Sequence, residues 1–178
     1  MSSKLIKIIN LIFFYLIWWG CILGIRSNFD YVGPILTLVF IVAHLNIVAE
    51  SRKELILILC CGFLGLIVES LYLYFNFISY EGYLISESFM PPLWIVCIWI
   101  ALATTINHSM VFLKNKWIVM GTCGAIFGPI CYFAAMKFNI LHFHFSVSES
   151  IFILSVACGI SLQLMYYINK IIEDKYGI

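Results

Sequence analysis

Glu69 is the only acidic residue deep inside an apolar run of this chain, and His44 and His108 sit at matching distances from the ends of two other runs. A carboxylate buried in hydrocarbon is costly, and where one occurs it carries a proton, meets a polar ligand or closes an ion pair. Histidine changes charge near neutral pH, so two at one depth suit a proton relay, a polar-ligand pocket or a two-histidine metal site.

The surroundings of Glu69 are legible from helical spacing. Gly62, Gly65 and Glu69 share a stripe, and small residues on a membrane helix invite close packing. That turns Glu69 toward other helices. By helix rise it lies about 9 Å below the outer boundary and roughly 12 Å from the histidine depth. Tyr132 has a similar depth and shares a stripe with Gly121, Gly124 and Gly128. Trp18, Trp19 and Trp94 fall in or near the same layer, and Arg26 at the end of the first run can snorkel toward Glu69. Two readings stand here. Glu69, Arg26, Tyr132 and Trp94 line an outward-opening pocket with a carboxylate at its floor. Alternatively, Glu69 and Arg26 form a structural pair beneath an aromatic belt.

His44 and His108 each lie about 7–8 Å inside the opposite boundary. Thr104 is one turn from His108, Asn107 is its neighbour, and Gln163 of the last run comes near that depth. These five residues make an inner polar layer. It either serves chemistry or holds the bundle together by interhelical hydrogen bonds. No carboxylate is expected at that depth and no third ligand is visible, so the sequence implies no metal and no cofactor. His142 and His144 alternate in an outer loop, a spacing too common to define a metal site by itself. All seven cysteines fall in apolar runs without a C-x-x-C pair, which fits small buried hydrophobes rather than a disulfide framework. No G-x-S-x-G, H-E-x-x-H or P-loop pattern is present.

The elements that must position these groups are helices in a membrane. Hydrophobic residues are 63% of the 178 and charged residues 11%, too few charges for a soluble surface, where roughly a quarter is usual. The sequence predicts an all-α, single integral membrane domain over 1–178. Its six transmembrane helices span approximately 5–25, 31–49, 55–75, 91–113, 117–136 and 151–168, with helical backbone throughout the membrane. Two longer gaps, Asn76 to Met90 with Glu81 and Glu87, and Lys137 to Ser150, are expected to face outward. Lys4, Lys7, Arg52, Lys53, Lys114, Lys116, Lys170 and Lys175 fall on one side, and only Arg26 and Lys137 on the other. The positive-inside bias then makes both termini cytoplasmic. A net charge of +1 argues against nucleic acid, which needs a clustered basic face. The first run, after Lys4 and Lys7, is too long for a signal peptide and reads as a retained helix.

The stretch Trp94 to Leu113 contains Ala103-Thr104-Thr105-Ile106-Asn107-His108-Ser109. This block resembles the "ATT-N-HS" block late in the fourth helix of a family of small bacterial inner-membrane proteins of unknown function. Gly124-Ala125, Gly128-Pro129 and Tyr132 resemble that family's glycine-rich fifth helix, and Trp19, Gly24, Gly33-Pro34, His44 and Glu69 also fit. The resemblance covers nearly the whole chain. It implies a compact helical fold in the bacterial cytoplasmic membrane, with lipid-related work by association with lipid-modifying enzymes. Three functions remain open: binding or shuttling a lipid, intramembrane lipid modification with histidine as general base, and solute transport. The six-helix plan also resembles the binding subunits of energy-coupling-factor vitamin importers. It departs from them in showing no docking motif beyond Gly20-x-x-x-Gly24, a spacing that serves ordinary packing. Membrane lipids are the implied partners. A partner membrane protein and a homo-oligomer are both left open.

Overall fold

The computed structural model describes residues 3–48, 51–83 and 90–176. It contains six α-helices: α1 (Ser3–Arg26), α2 (Val32–Ile47), α3 (Ser51–Tyr74), α4 (Leu93–Ala103), α5 (Trp117–Lys137) and α6 (Val147–Tyr176). Four of them, α1, α3, α5 and α6, are long and apolar enough to cross a membrane, while α2 and α4 are shorter apolar helices. Many large side chains point outward, among them Leu38, Ile118 and Phe152. Such a surface is the reverse of a soluble protein's and suits hydrocarbon. Glu87 lies outside the described residues.

Three expectations about the backbone are corrected. The fourth helix does not reach residue 113: α4 stops at Ala103 and a chain of turns follows, closed by a short 3-10 turn at Val111–Leu113. At 1.5 Å per residue α4 is only about 17 Å long, well short of the ~30 Å hydrocarbon core. The turns cap themselves, since Thr104 Oγ1 donates to the Ala101 carbonyl (2.7 Å) and Thr105 Oγ1 to that of Leu102 (2.6 Å). Threonine hydroxyls compete for helix carbonyls in this way, and two in succession end the helix. The last helix is longer than expected. It begins at Val147, behind a capping box in which Ser146 Oγ accepts from the Glu149 N–H (3.4 Å) and Glu149 Oε2 accepts from the Ser146 N–H (3.0 Å). Finally, the two outer gaps are not plain loops. Ile78–Tyr80 (β1) and Leu141–Phe143 (β2) pair as an antiparallel ribbon, with Ser79 opposite His142.

Small residues set the helix contacts. A Cβ added at Gly124 would meet the Cys158 carbonyl, and one at Gly159 would meet that of Gly121, so α5 and α6 touch backbone to backbone. A Cβ at Gly65 would collide with the Trp99 side chain, which packs against α3 there. Gly20 and Gly24 face α2, where Leu36 and Val32 fill the space. Helices α1, α3 and α5 end alike. Asn28, Asn76 and Asn139 adopt positive φ, and the next N–H (Phe29, Phe77, Ile140) returns to the carbonyl five residues back (Gly24, Tyr72, Ala135). This is the Schellman closure, with asparagine in glycine's usual place.

Candidate functional site

Two polar centres lie on the buried face of α3. That face runs Glu54, Ile58, Cys61, Gly65 and Glu69, spaced so that each residue stands three to four positions from the next on one helical side.

At one end Glu69 is completely enclosed, at 0% exposure. Trp99 Nε1 donates to Oε1 (2.7 Å), Tyr132 OH donates to the same oxygen, and Tyr80 OH donates to Oε2. Gly65 makes the Trp99 bond possible by letting the indole lie against the helix backbone. Trp94 supports the group from outside: its ring packs at 6.1 Å from that of Tyr80, and its Nε1 donates to the Glu81 carbonyl (2.8 Å). The structure thus brings Glu69, Tyr132 and Trp94 together but leaves Arg26 out. The Arg26 guanidinium lies over the Phe138 ring, 5.5 Å from its centroid, and among the described residues no ion pair joins it to Glu69. The expected Glu69–Arg26 pair is therefore replaced by three neutral donors. The carboxylate also floors no open pocket, because it is completely enclosed. Buried neutral donors cost less to desolvate than a guanidinium would. Tyr80 and Trp99 were not singled out from sequence.

At the other end His44, Glu54 and His108 converge. His44 Nε2 stands 3.5 Å from Glu54 Oε2, and His108 Nε2 stands 3.4 Å from Oε1. The two imidazoles meet edge to face, 4.8 Å between centroids and 87° between planes. Each comes from a different element: α2, the first turn of α3, and the turns after α4. The turns carry His108 inward and are fastened from two sides. Asn10 of α1 donates to the Thr104 carbonyl (3.1 Å) and accepts from Ser109 Oγ (2.7 Å), while Tyr166 of α6 donates to the Met110 carbonyl (2.7 Å). Asn107 Nδ2 donates to Glu54 Oε1 (3.0 Å) and exchanges two bonds with the Asn169 amide, each 2.9 Å.

His44, His108 and Asn107 therefore occupy one layer. Thr104 borders it through Asn10 rather than through His108. Gln163 does not join it: its amide donates to the Trp117 carbonyl (2.9 Å), and Asn169 is the α6 residue that takes part. The absence of a carboxylate from this layer is the expectation that fails most completely, because Glu54 stands between both histidines. It looked like part of a charged gap with Arg52 and Lys53, but α3 starts at Ser51 and turns Glu54 inward to 6% exposure. The usable signal was the glycine stripe itself, which reaches Glu54 when extended past Cys61 and Ile58. In the outer ribbon, His142 Nε2 lies 3.7 Å from Glu81 Oε1 with both side chains more than half exposed, and His144 makes a backbone bond to Phe77.

A helical protein with four membrane-length apolar helices, a broken fourth helix and two buried carboxylate centres is the class that fold and site define. Residues 7–164 match the family model described as "Protein of unknown function (DUF2878)", and the chain belongs to that family. No curated protein and no solved structure matches it.

Proposed function

We propose that this chain is a multi-pass protein of a bacterial cytoplasmic membrane that binds a lipid by its headgroup on the cytoplasmic side. In this reading the six helices all cross, α4 with the help of the turns that follow it, and both termini are cytoplasmic. The support is the alternation of basic residues between gaps. The observation that carries the ligand reading is a small surface hollow between the start of α5 and the later turns of α6, lined by Lys114, Trp117, Met120, Tyr166, Asn169 and Lys170, with a volume of about 10 Å³, room for one water-sized group. Lys114 is held by Glu173 at 2.7 Å, but Lys170 is exposed; lysines at the membrane surface attract anionic headgroups, and tryptophan favours the same interface. The exposed flank of α5, including Ile118 and Val119, would accompany the acyl chains.

The hollow reaches the inner centre through one residue. Asn169 lines it and also bonds Asn107, which bonds Glu54. That connection favours a second reading, in which a lipid held at the hollow is modified at the His44–Glu54–His108 centre. The binding reading is tested by native mass spectrometry of the purified chain in lipid nanodiscs containing both zwitterionic and anionic phospholipid. Retention of an anionic phospholipid, reduced in the Lys114→Ala/Lys170→Ala double variant, is the expected result. Equal retention of both lipids, or no effect of the double variant, overturns it.

A further inference from the structure

We propose that His44, His108 and Glu54 form a binding site for one divalent transition-metal ion of the zinc class. This deepens the reading of the inner centre given above, but it stands on the geometry of three side chains and is measured without lipid.

The first observation is convergence. One donor atom from each residue lies within 4.8 Å of the other two. Zinc bonds nitrogen and oxygen at about 2.0–2.2 Å, so two ligands of a tetrahedral site stand roughly 3.3–3.5 Å apart. Each histidine already stands at that distance from one carboxylate oxygen, His44 Nε2 3.5 Å from Oε2 and His108 Nε2 3.4 Å from Oε1. For one carboxylate oxygen to serve both histidines, the second histidine-to-oxygen edge and the histidine-to-histidine edge must also close, each from no more than 4.8 Å.

The second observation is an unmet need. The His108 Nε2 atom is buried and has no hydrogen-bond partner. Its 3.4 Å approach to Glu54 is short enough for an ion pair but not aligned for a hydrogen bond. A buried polar atom left in that state costs free energy. A metal ion between the rings and the carboxylate supplies the missing partner.

The third observation is the support around the donors. Asn107 fixes Glu54 through Oε1 and is itself fixed by Asn169. Outer contacts of this kind orient metal ligands and tune their affinity. Phe40 packs on His44 at 5.6 Å between centroids, giving one wall that is apolar. Two imidazoles and one carboxylate suit zinc and its first-row neighbours, whereas magnesium and calcium prefer all-oxygen sets. Three protein ligands leave one tetrahedral position for water or for an oxygen of a bound molecule, the arrangement of working rather than purely structural zinc sites.

The test uses the full-length purified chain without a histidine tag. The protein is stripped with chelator, given zinc chloride, desalted and measured by elemental analysis. About one zinc per chain is expected. His44→Gln, His108→Gln and Glu54→Gln should each weaken binding by on the order of 100-fold or more, while His142→Ala/His144→Ala and Glu69→Gln keep it. Because an inner variant can fail to fold, the wild-type chain is also loaded with cobalt(II), whose visible absorption reports a four-coordinate site directly. Folded, monodisperse wild-type protein that retains neither zinc nor cobalt overturns the proposal. So does metal that is lost in the His142→Ala/His144→Ala variant. Failure of lipid retention leaves these readouts unchanged, so the two readings fall separately.

Discussion

Glu54 and Glu69 stand on the same buried face of α3, and their surroundings are opposite in kind. They are fifteen residues apart (69 − 54 = 15), about 22 Å along the helix axis. Glu69 is fully enclosed and accepts from three neutral donors, from β1, α4 and α5. Glu54 has two histidines and an amide around it, and one of those histidine nitrogens lacks a hydrogen bond. The first arrangement fastens elements together. The second has capacity left over, which is what a site for a ligand requires.

Removing the Glu69 carboxylate should therefore destabilise the fold. Glu69→Ala strands Tyr80, Tyr132 and Trp99 as buried donors. Each loss costs about 0.5–2 kcal/mol, so the total of the three should be roughly 1.5–6 kcal/mol. Glu69→Gln keeps one acceptor and should cost less, and Tyr132→Phe less again. Equilibrium unfolding in mixed detergent micelles orders the three. A Glu69→Ala protein as stable as wild type would show that the enclosed carboxylate does not fasten β1, α4 and α5.

The contact between α5 and α6 makes a second expectation. Gly124→Ala places a methyl group against the Cys158 carbonyl, which is backbone and cannot step aside. Overpacking of this kind costs about 1–3 kcal/mol. Gly20→Ala meets only the end of the Leu36 side chain and should be nearly neutral. Thermal unfolding of both variants checks the contrast, and equal midpoints would mean that the two helices separate easily.

The features that carried through from sequence are those set by periodicity. The Gly62-Gly65-Glu69 stripe does face the bundle, and Tyr132 does meet Glu69. His44 and His108 do share a layer, although His108 reaches it on the turns that follow α4 and not on a helix. What stayed hidden was set by local hydrogen-bond competition. Thr104 and Thr105 end α4 by capping its carbonyls, and an apolar run gives no sign of that. The Ser146–Glu149 capping box was readable and marks the true start of α6. Glu54 was hidden by its neighbours: beside Arg52 and Lys53 it looked solvated, although about two more turns of the same stripe reach it. Arg26 misled for a physical reason as well. Its stem is long enough to reach inward, but the Phe138 face offers the cation a partner at the surface.

The proposed orientation makes a direct prediction. Lys116 and Ser148 are exposed residues at the start of α5 and of α6. In a background lacking the seven native cysteines, Ser148→Cys should react with an impermeant thiol reagent added outside intact cells. Lys116→Cys should react only after permeabilisation. The reverse pattern would place the basic gaps outside and invert the topology.

The last expectation concerns Asn107, whose amide ties Glu54 to α6. It holds Glu54 Oε1 at 3.0 Å and trades two bonds with Asn169. If Asn107 sets the carboxylate's position, Asn107→Ala should lower zinc affinity by about 10–100-fold, the usual effect of losing an outer-shell partner. Asn169→Ala removes the brace but not the contact with Glu54, so its effect on zinc should be smaller. The stability effects of the two should not add. Each single change strands the same pair of amide bonds, and the double variant should be less damaged than the sum by roughly 0.5–1.5 kcal/mol. A double-mutant cycle read by thermal unfolding, beside zinc titrations of the same four proteins, separates the roles. Additive stability effects would show that the amide pair is not coupled. An unchanged zinc affinity in Asn107→Ala would show that Glu54 is positioned by its own helix turn, with the histidines alone shaping the site.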